Sequence, residues 1–92
     1  MLALFDWDEY NADHVAAHDL DPEEVEEALL DPRRIGVPAY NVGAEQRWAV
    51  LGATAARRIL FIVFSRRREL IRVVTARDAT EREKRRYRSR GK

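Results

Sequence analysis

The sequence contains no cysteine among its 92 residues. That removes disulfides, thiolate nucleophiles and Cys-ligated zinc, and it suits a reducing compartment. Long apolar runs are missing too: the longest, Ile59–Phe64, is far shorter than the roughly 20 residues needed to cross a bilayer. Met1–Phe5 carries neither a basic stretch nor a cleavage site, so no secretory signal and no membrane partner are expected, and the location is read as cytoplasmic. There is no Gly-rich phosphate loop, no Ser-His-Asp pattern, no internal repeat and no linker. The most informative absence is of positive charge. Residues 1–32 hold eleven acidic residues and no Lys or Arg, whereas the remainder holds all 17 basic residues against five acidic ones. The net charge of +1 hides this asymmetry. A basic half can attract phosphate, can dock an acidic protein, or can pair with the acidic half inside one fold.

What is present suffices for one modest core, so a single domain over 1–92 is expected. Leu2–Trp7 reads as a short strand and Glu9–His18 as a helix. Asp21 followed by Pro22 and Glu24 predicts a capped second helix, in which Leu20 staples against Val25. Val25, Ala28 and Leu29 form its buried stripe, and Asp31-Pro32 stops it. The pattern then turns to strand: Arg34–Val37 at an edge, Gln46–Leu51 with a turn at Gly52-Ala53-Thr54, Arg58–Phe64, and Leu70–Thr75 after an Arg66–Arg68 turn. The unbroken apolar character of Arg58–Phe64 predicts a central strand buried on both faces. Thr80 and Glu83 open a basic terminal helix. The fold class is α+β: a twisted antiparallel sheet with two N-terminal helices and one basic C-terminal helix.

Read in order, these residues resemble the BrnT family of ribonuclease toxins. The resemblance rests on Phe5-Asp6-Trp7-Asp8-Glu9, Asn11, His18, the Glu-rich Pro22–Leu30 and Asp31-Pro32. It continues through Arg47, Gly52, Arg58–Ser65, Ile71–Arg77, Ala79-Thr80, Glu83 and Tyr87. The chain departs from the family at Ala17-His18-Asp19, where Lys-His-Gly is usual. The resemblance implies a RelE-like fold and an endoribonuclease toxin of a type II toxin–antitoxin pair. It also implies RNA as substrate and a BrnA-like antitoxin as partner, and it allows a homodimer within their complex. Two other readings stay open: a non-catalytic member of the fold that docks a protein partner, and nucleic-acid binding without cleavage.

RNA cleavage without a metal or other cofactor needs a base for the 2′-OH proton, cations for the crowded phosphorane, and an acid for the departing 5′-oxygen. His18 or Glu45 is the candidate base. Arg47, Arg72 and Arg77 are candidate phosphate clamps, and His14 or Tyr87 is the candidate acid. On an ideal strand Arg72 and Arg77 point to opposite faces, so one site takes both only if the chain turns after Thr75. Structural ion pairs with the acidic helices are the competing role for each arginine. His14 and His18 lack the neighbouring Glu of a zinc helix and have no third ligand at a telling spacing, so no metal site is expected. The acidic residues of 19–31 fit a solvated helix face better than a two-metal cluster. Arg58, Arg66, Arg67, Arg68, Arg82, Arg85 and Arg86 are the candidate RNA-binding residues. Trp7 and Trp48 are read as packing rather than base-stacking residues.

Overall fold

The computed structural model describes residues 4–90. Three helices, α1 (Glu9–Ala16), α2 (Pro22–Leu29) and α3 (Glu81–Arg88), accompany four strands, β1 (Ile35–Val37), β2 (Trp48–Ala53), β3 (Ile59–Arg67) and β4 (Leu70–Asp78). Each helix begins with a reciprocal capping box: Asp8 with Asn11, Asp21 with Glu24, and Thr80 with Glu83. Each box satisfies backbone N–H groups that a helix start otherwise leaves open. The last two are readable from the sequence. The first uses Asn where Glu or Gln is usual, so Asp8 was not recognised as a cap. Helix α1 ends at Ala16, short of the expected His18, and the chain then turns through Asp19 at φ 61°.

The sheet is antiparallel in the order β1-β2-β3-β4, and β3 pairs with both β2 and β4. The apolar run is therefore central, as its composition requires. Leu60 and Ile62 are fully buried beneath α1 and α2, with Val15, Val25 and Ala28. Ile59 and Phe61 point to the opposite face, where they meet Leu51, Ala79 and Tyr87 of α3. Helices thus cover both faces of β3, the two acidic ones on one side and the basic one on the other.

Several strand expectations need correction. β3 runs on through Arg67, so the expected Arg66–Arg68 turn shrinks to Arg68 and Glu69, and β4 continues past Thr75 to Asp78. β2 runs Trp48–Ala53, not Gln46–Leu51, so Gly52 lies in the strand rather than in the turn. A Cβ at Gly52 would sit 2.1 Å from the Ala28 carbonyl oxygen, so only glycine lets α2 come this close to the sheet. The turn starts instead at Thr54, whose hydroxyl accepts from the Arg58 N–H at 3.1 Å. The expected strand Leu2–Trp7 reduces, within the described residues, to one parallel bridge between Phe5 and Ile71; Leu2 and Ala3 lie outside them. There the Asp6 N–H donates to the Ile71 carbonyl and the Ile71 N–H to that of Leu4, both at 2.8 Å. This segment pairs part of the outer edge of β4, which would otherwise stay open.

A bulge in β4 has the largest consequence for function. Val63 faces Thr75 but Phe64 faces Val73, so Val74 is an extra residue. The shift reverses the parity of everything before it. Arg72, Thr75 and Arg77 consequently share the face opposite α1 and α2, which resolves the parity conflict of an ideal strand without a turn after Thr75.

Gly52→Ala is expected to destabilise the protein by about 1–3 kcal/mol, because backbone rather than a flexible side chain must move. The check is a lower urea midpoint at unchanged slope; an unaltered midpoint would mean that α2 does not lie against β2 in this way.

Candidate active site

On the sheet face that carries Ser65 and Arg72, next to the part covered by α3, lies a hollow of about 250 Å³. Four stretches of chain line it. Helix α1 contributes Tyr10 and His14, one turn apart, and the β1–β2 connection contributes Glu45 and Arg47. β3 adds Ser65, and β4 adds Arg72 and Thr75. Tyr10 stands at the rim, 77% exposed.

Arg72 is the best-anchored cation of the hollow. Its side chain is only 16% exposed, and Nη2 donates to Asp8 Oδ2 at 2.9 Å. Nη1 lies 3.6 Å from Asp6 Oδ2 and is buried with no hydrogen-bond acceptor among the described residues. Such an unsatisfied donor costs about 1–3 kcal/mol. Asn11 fixes this arrangement from beneath. Its Oδ1 accepts from the Asp8 N–H at 2.8 Å, and its Nδ2 donates to the carbonyls of Asp6 (3.0 Å) and Val73 (3.4 Å). The Asn11 backbone N–H, with help from the Arg72 guanidinium and against the effect of burial, holds the Asp8 carboxyl below the usual carboxylate range.

Across the hollow, Arg47 Nε donates to Glu45 Oε1 at 2.8 Å, and the Arg47 N–H donates to Asn41 Oδ1 at 3.1 Å. Reciprocal backbone bonds between Val42 and Glu45 close the tight turn that presents both side chains. His14 Nε2 lies 3.1 Å from Thr75 Oγ1, which fixes the imidazole beside β4. The hollow therefore holds a carboxylate, an imidazole, three hydroxyls and two guanidinium groups, a set able to bind a phosphodiester and move protons around it.

Of the seven residues singled out for chemistry, His14, Glu45, Arg47 and Arg72 meet here. His18 does not line the hollow; its ring lies 6.0 Å from that of His14. Arg77 is on the right face but is engaged elsewhere. It makes a two-pronged pair with Glu83 at 2.8 and 3.1 Å and sits 4.2 Å over the Phe61 ring. That pairing is the main reason the Glu83 carboxyl is held low. Tyr87 is buried and donates its hydroxyl to Asp31. Asp31 also accepts from the N–H groups of Ala53 (2.8 Å) and Arg33 (2.9 Å). Burial alone would raise the Asp31 carboxyl, but these three donors outweigh it and hold it low.

Among the residues singled out for RNA binding, Arg58 has a different occupation. It donates to both Asp78 oxygens at 2.7 and 3.0 Å, to the Asp19 carbonyl at 3.0 Å and to Glu24 at 3.4 Å. Its guanidinium is raised above its ordinary value chiefly by Asp78. Arg66, Arg67, Arg68, Arg82, Arg85 and Arg86 are exposed.

The sequence pattern does not single out Tyr10, Asn11, Ser65 or Thr75 for chemistry, and it offers His14 only as an alternative to Tyr87 for the acid. The four-residue spacing of Tyr10 and His14 was a usable signal, but the equal spacing of His14 and His18 drew attention first. The departure at Asp19 has a local explanation. That residue has a left-handed backbone, where glycine is the ordinary choice and Asp is tolerated. Its side chain is no part of the hollow lining. Among the described residues no trio of His, Asp or Glu converges as metal ligands, and no helix is long and apolar enough to cross a membrane.

A family model described as ribonuclease toxin, BrnT, of type II toxin–antitoxin system matches residues 7–83. No curated protein matches the chain.

The Asp31 junction gives a pH test. Its folded-state pKa is depressed, so its stabilisation is present above the unfolded value of about 4 and is lost as pH falls through the folded one. Asp31→Asn should therefore lower stability most near neutral pH, with the difference from the parent shrinking below about pH 4. Denaturant melts across pH check this; a constant difference would remove the charge from the explanation.

Proposed function

The chain belongs to the BrnT family of ribonuclease toxins of type II toxin–antitoxin systems, and from that premise we propose that the hollow is where it cuts RNA. The reaction needs no metal: a ribose 2′-OH attacks the adjacent phosphorus and expels the 5′-oxygen of the next nucleotide. A BrnA-like antitoxin opposes it by covering the same face. We read the four-stranded sheet with its open arginine-bearing face as a RelE-like arrangement. One observation carries the proposal, namely the convergence of Glu45, Arg47, His14 and Arg72 from separate stretches of the chain.

The roles follow from chemistry and position. Glu45 takes the 2′-OH proton, since a carboxylate is a competent base once a substrate is held against it. Arg47 and Arg72 face the phosphorane, whose equatorial oxygens gain charge as the bond forms. Both guanidinium groups rest on carboxylates in the free protein, which orients them before substrate arrives. His14 protonates the leaving 5′-oxygen, its ring held by Thr75. Tyr10 offers an exposed ring for an unpaired base to stack on. Arg82, Arg85 and Arg86 on α3, with the Arg66–Arg68 end of the β3–β4 hairpin, supply salt-sensitive attraction for the rest of the strand.

The alternative, a non-catalytic module, draws support from the same ion pairs, because Arg72 and Arg47 already have carboxylate partners. Kinetics separates the two. Arg72→Ala should lower kcat by about 10²–10³, more than His14→Ala, since it removes charge stabilisation formed only in the transition state. Cleavage of a labelled RNA is measured after both variants are shown to be folded. A folded Arg72→Ala that cuts RNA like the parent would overturn the assignment.

A further inference from the structure

A second basic hollow, of about 630 Å³, lies beyond the other end of the same sheet face. Arg33, Arg57, Arg88 and Arg90 surround it, with Tyr87, Ala53 and Ile59 as its floor. Among the described residues none of the four arginines forms a salt bridge, in contrast to Arg47, Arg58, Arg72 and Arg77. Arg90 bonds the Tyr87 carbonyl and lies 4.0 Å over the Tyr87 ring. Asp31 has its oxygens taken by the Tyr87 hydroxyl and by the N–H groups of Ala53 and Arg33, and Glu27 accepts from the Ala55 N–H of the β2–β3 turn at 3.1 Å.

Two further facts bear on what this hollow holds. Arg57 sits at φ 69°, in the left-handed region, within the β2–β3 turn. Its N–H donates to the Thr54 carbonyl at 2.8 Å, so the turn needs this conformation but not this side chain. Glycine would satisfy the turn with less strain, and the sequence places a guanidinium there instead. The hollow also adjoins the C-terminal end of α3, whose dipole repels anions by roughly half a charge. The four guanidinium groups around the hollow, none of which pairs with a carboxylate among the described residues, more than offset that.

We infer that this hollow binds a phosphate of a single-stranded polynucleotide, several nucleotides away from the phosphate held in the first hollow. The inference rests on the reading of the first hollow as an RNA site. Ile59 at the floor of one hollow and Ser65 at the other lie six residues apart on β3, on the same face. At about 3.3 Å per residue this is roughly 20 Å, a span that one strand of RNA covers as it crosses α3. A concave cluster of guanidinium groups that have no carboxylate partner among the described residues suits a tetrahedral oxyanion with several acceptor oxygens better than the scattered carboxylates of an acidic protein surface.

The test uses the full chain and fluorescent 2′-O-methyl oligoribonucleotides, which cannot be cut because the attacking hydroxyl is blocked. Two lengths are compared, roughly three and roughly ten nucleotides. The parent should bind the longer at least about tenfold more tightly. In Arg57→Gly/Arg88→Gln that advantage should fall away, and the salt slope should drop by roughly one. Arg33→Gln/Arg88→Gln, which leaves the turn untouched, should behave alike. A double variant that folds as the parent does and keeps both the length advantage and the slope overturns the inference. So does a variant that loses affinity only for a Glu-rich peptide, which would assign the hollow to a protein partner. Cleavage does not enter this readout, so a protein that never cuts RNA yet shows the length advantage would sink only the nuclease reading.

Discussion

The hold of Asp8 on Arg72 joins the start of the chain to its last strand, and the site depends on it. Asp8 does two tasks with one carboxylate: it caps α1 through the Asn11 N–H and receives the guanidinium of Arg72. Asn11 returns the cap bond and reaches β4 at the Val73 carbonyl. The same bonds that begin the helix therefore set where the helix lies along the strand. That position brings Tyr10 and His14 over the sheet edge to the face that carries Arg72, while Val15 stays in the core.

The charge asymmetry of the sequence takes on a definite meaning in this light. The acidic N-terminal third neutralises selected arginines rather than the basic half as a whole. Arg72 pairs with Asp6 and Asp8, and Arg58 pairs with Glu24. Among the described residues, the arginines without a carboxylate partner are concentrated on α3, at Arg66 and Arg68 of the β3–β4 hairpin and around the Tyr87 hollow. Internal pairing and attraction of an outside polyanion, which compete as readings of composition, are both served by different arginines. The partly exposed Arg58–Glu24 pair adds little stability, so its main effect is to orient the guanidinium.

Elements with a strong local signature were legible in the sequence. The central strand followed from the run Ile59–Phe64, and two helix starts from Asp21-Pro22-Glu23-Glu24 and Thr80–Glu83. Gly52 was misread because a glycine signals a turn as readily as a close approach, and only the position of Ala28 decides between them. The Val74 bulge left no trace in the residue pattern, yet it determines that Arg72 and Arg77 share a face. The site was legible as a list of residue types and not as a place. Glu45, Arg47 and Arg72 stood among the candidates, but what separates them from Arg77 and Tyr87 is the partner each has found. Those partners, Glu83 and Asp31, are fixed by tertiary packing.

The central claim is that a carboxylate, an imidazole and two arginines cleave RNA through its own 2′-oxygen. The chemistry of the cut ends tests it most directly. A defined RNA is incubated with the purified protein in the presence of a chelator, and the termini are identified by mass spectrometry. The account predicts 2′,3′-cyclic phosphate or 3′-phosphate on one fragment and a 5′-hydroxyl on the other. Fragments ending in 3′-hydroxyl and 5′-phosphate, formed only when a divalent ion is supplied, would contradict it.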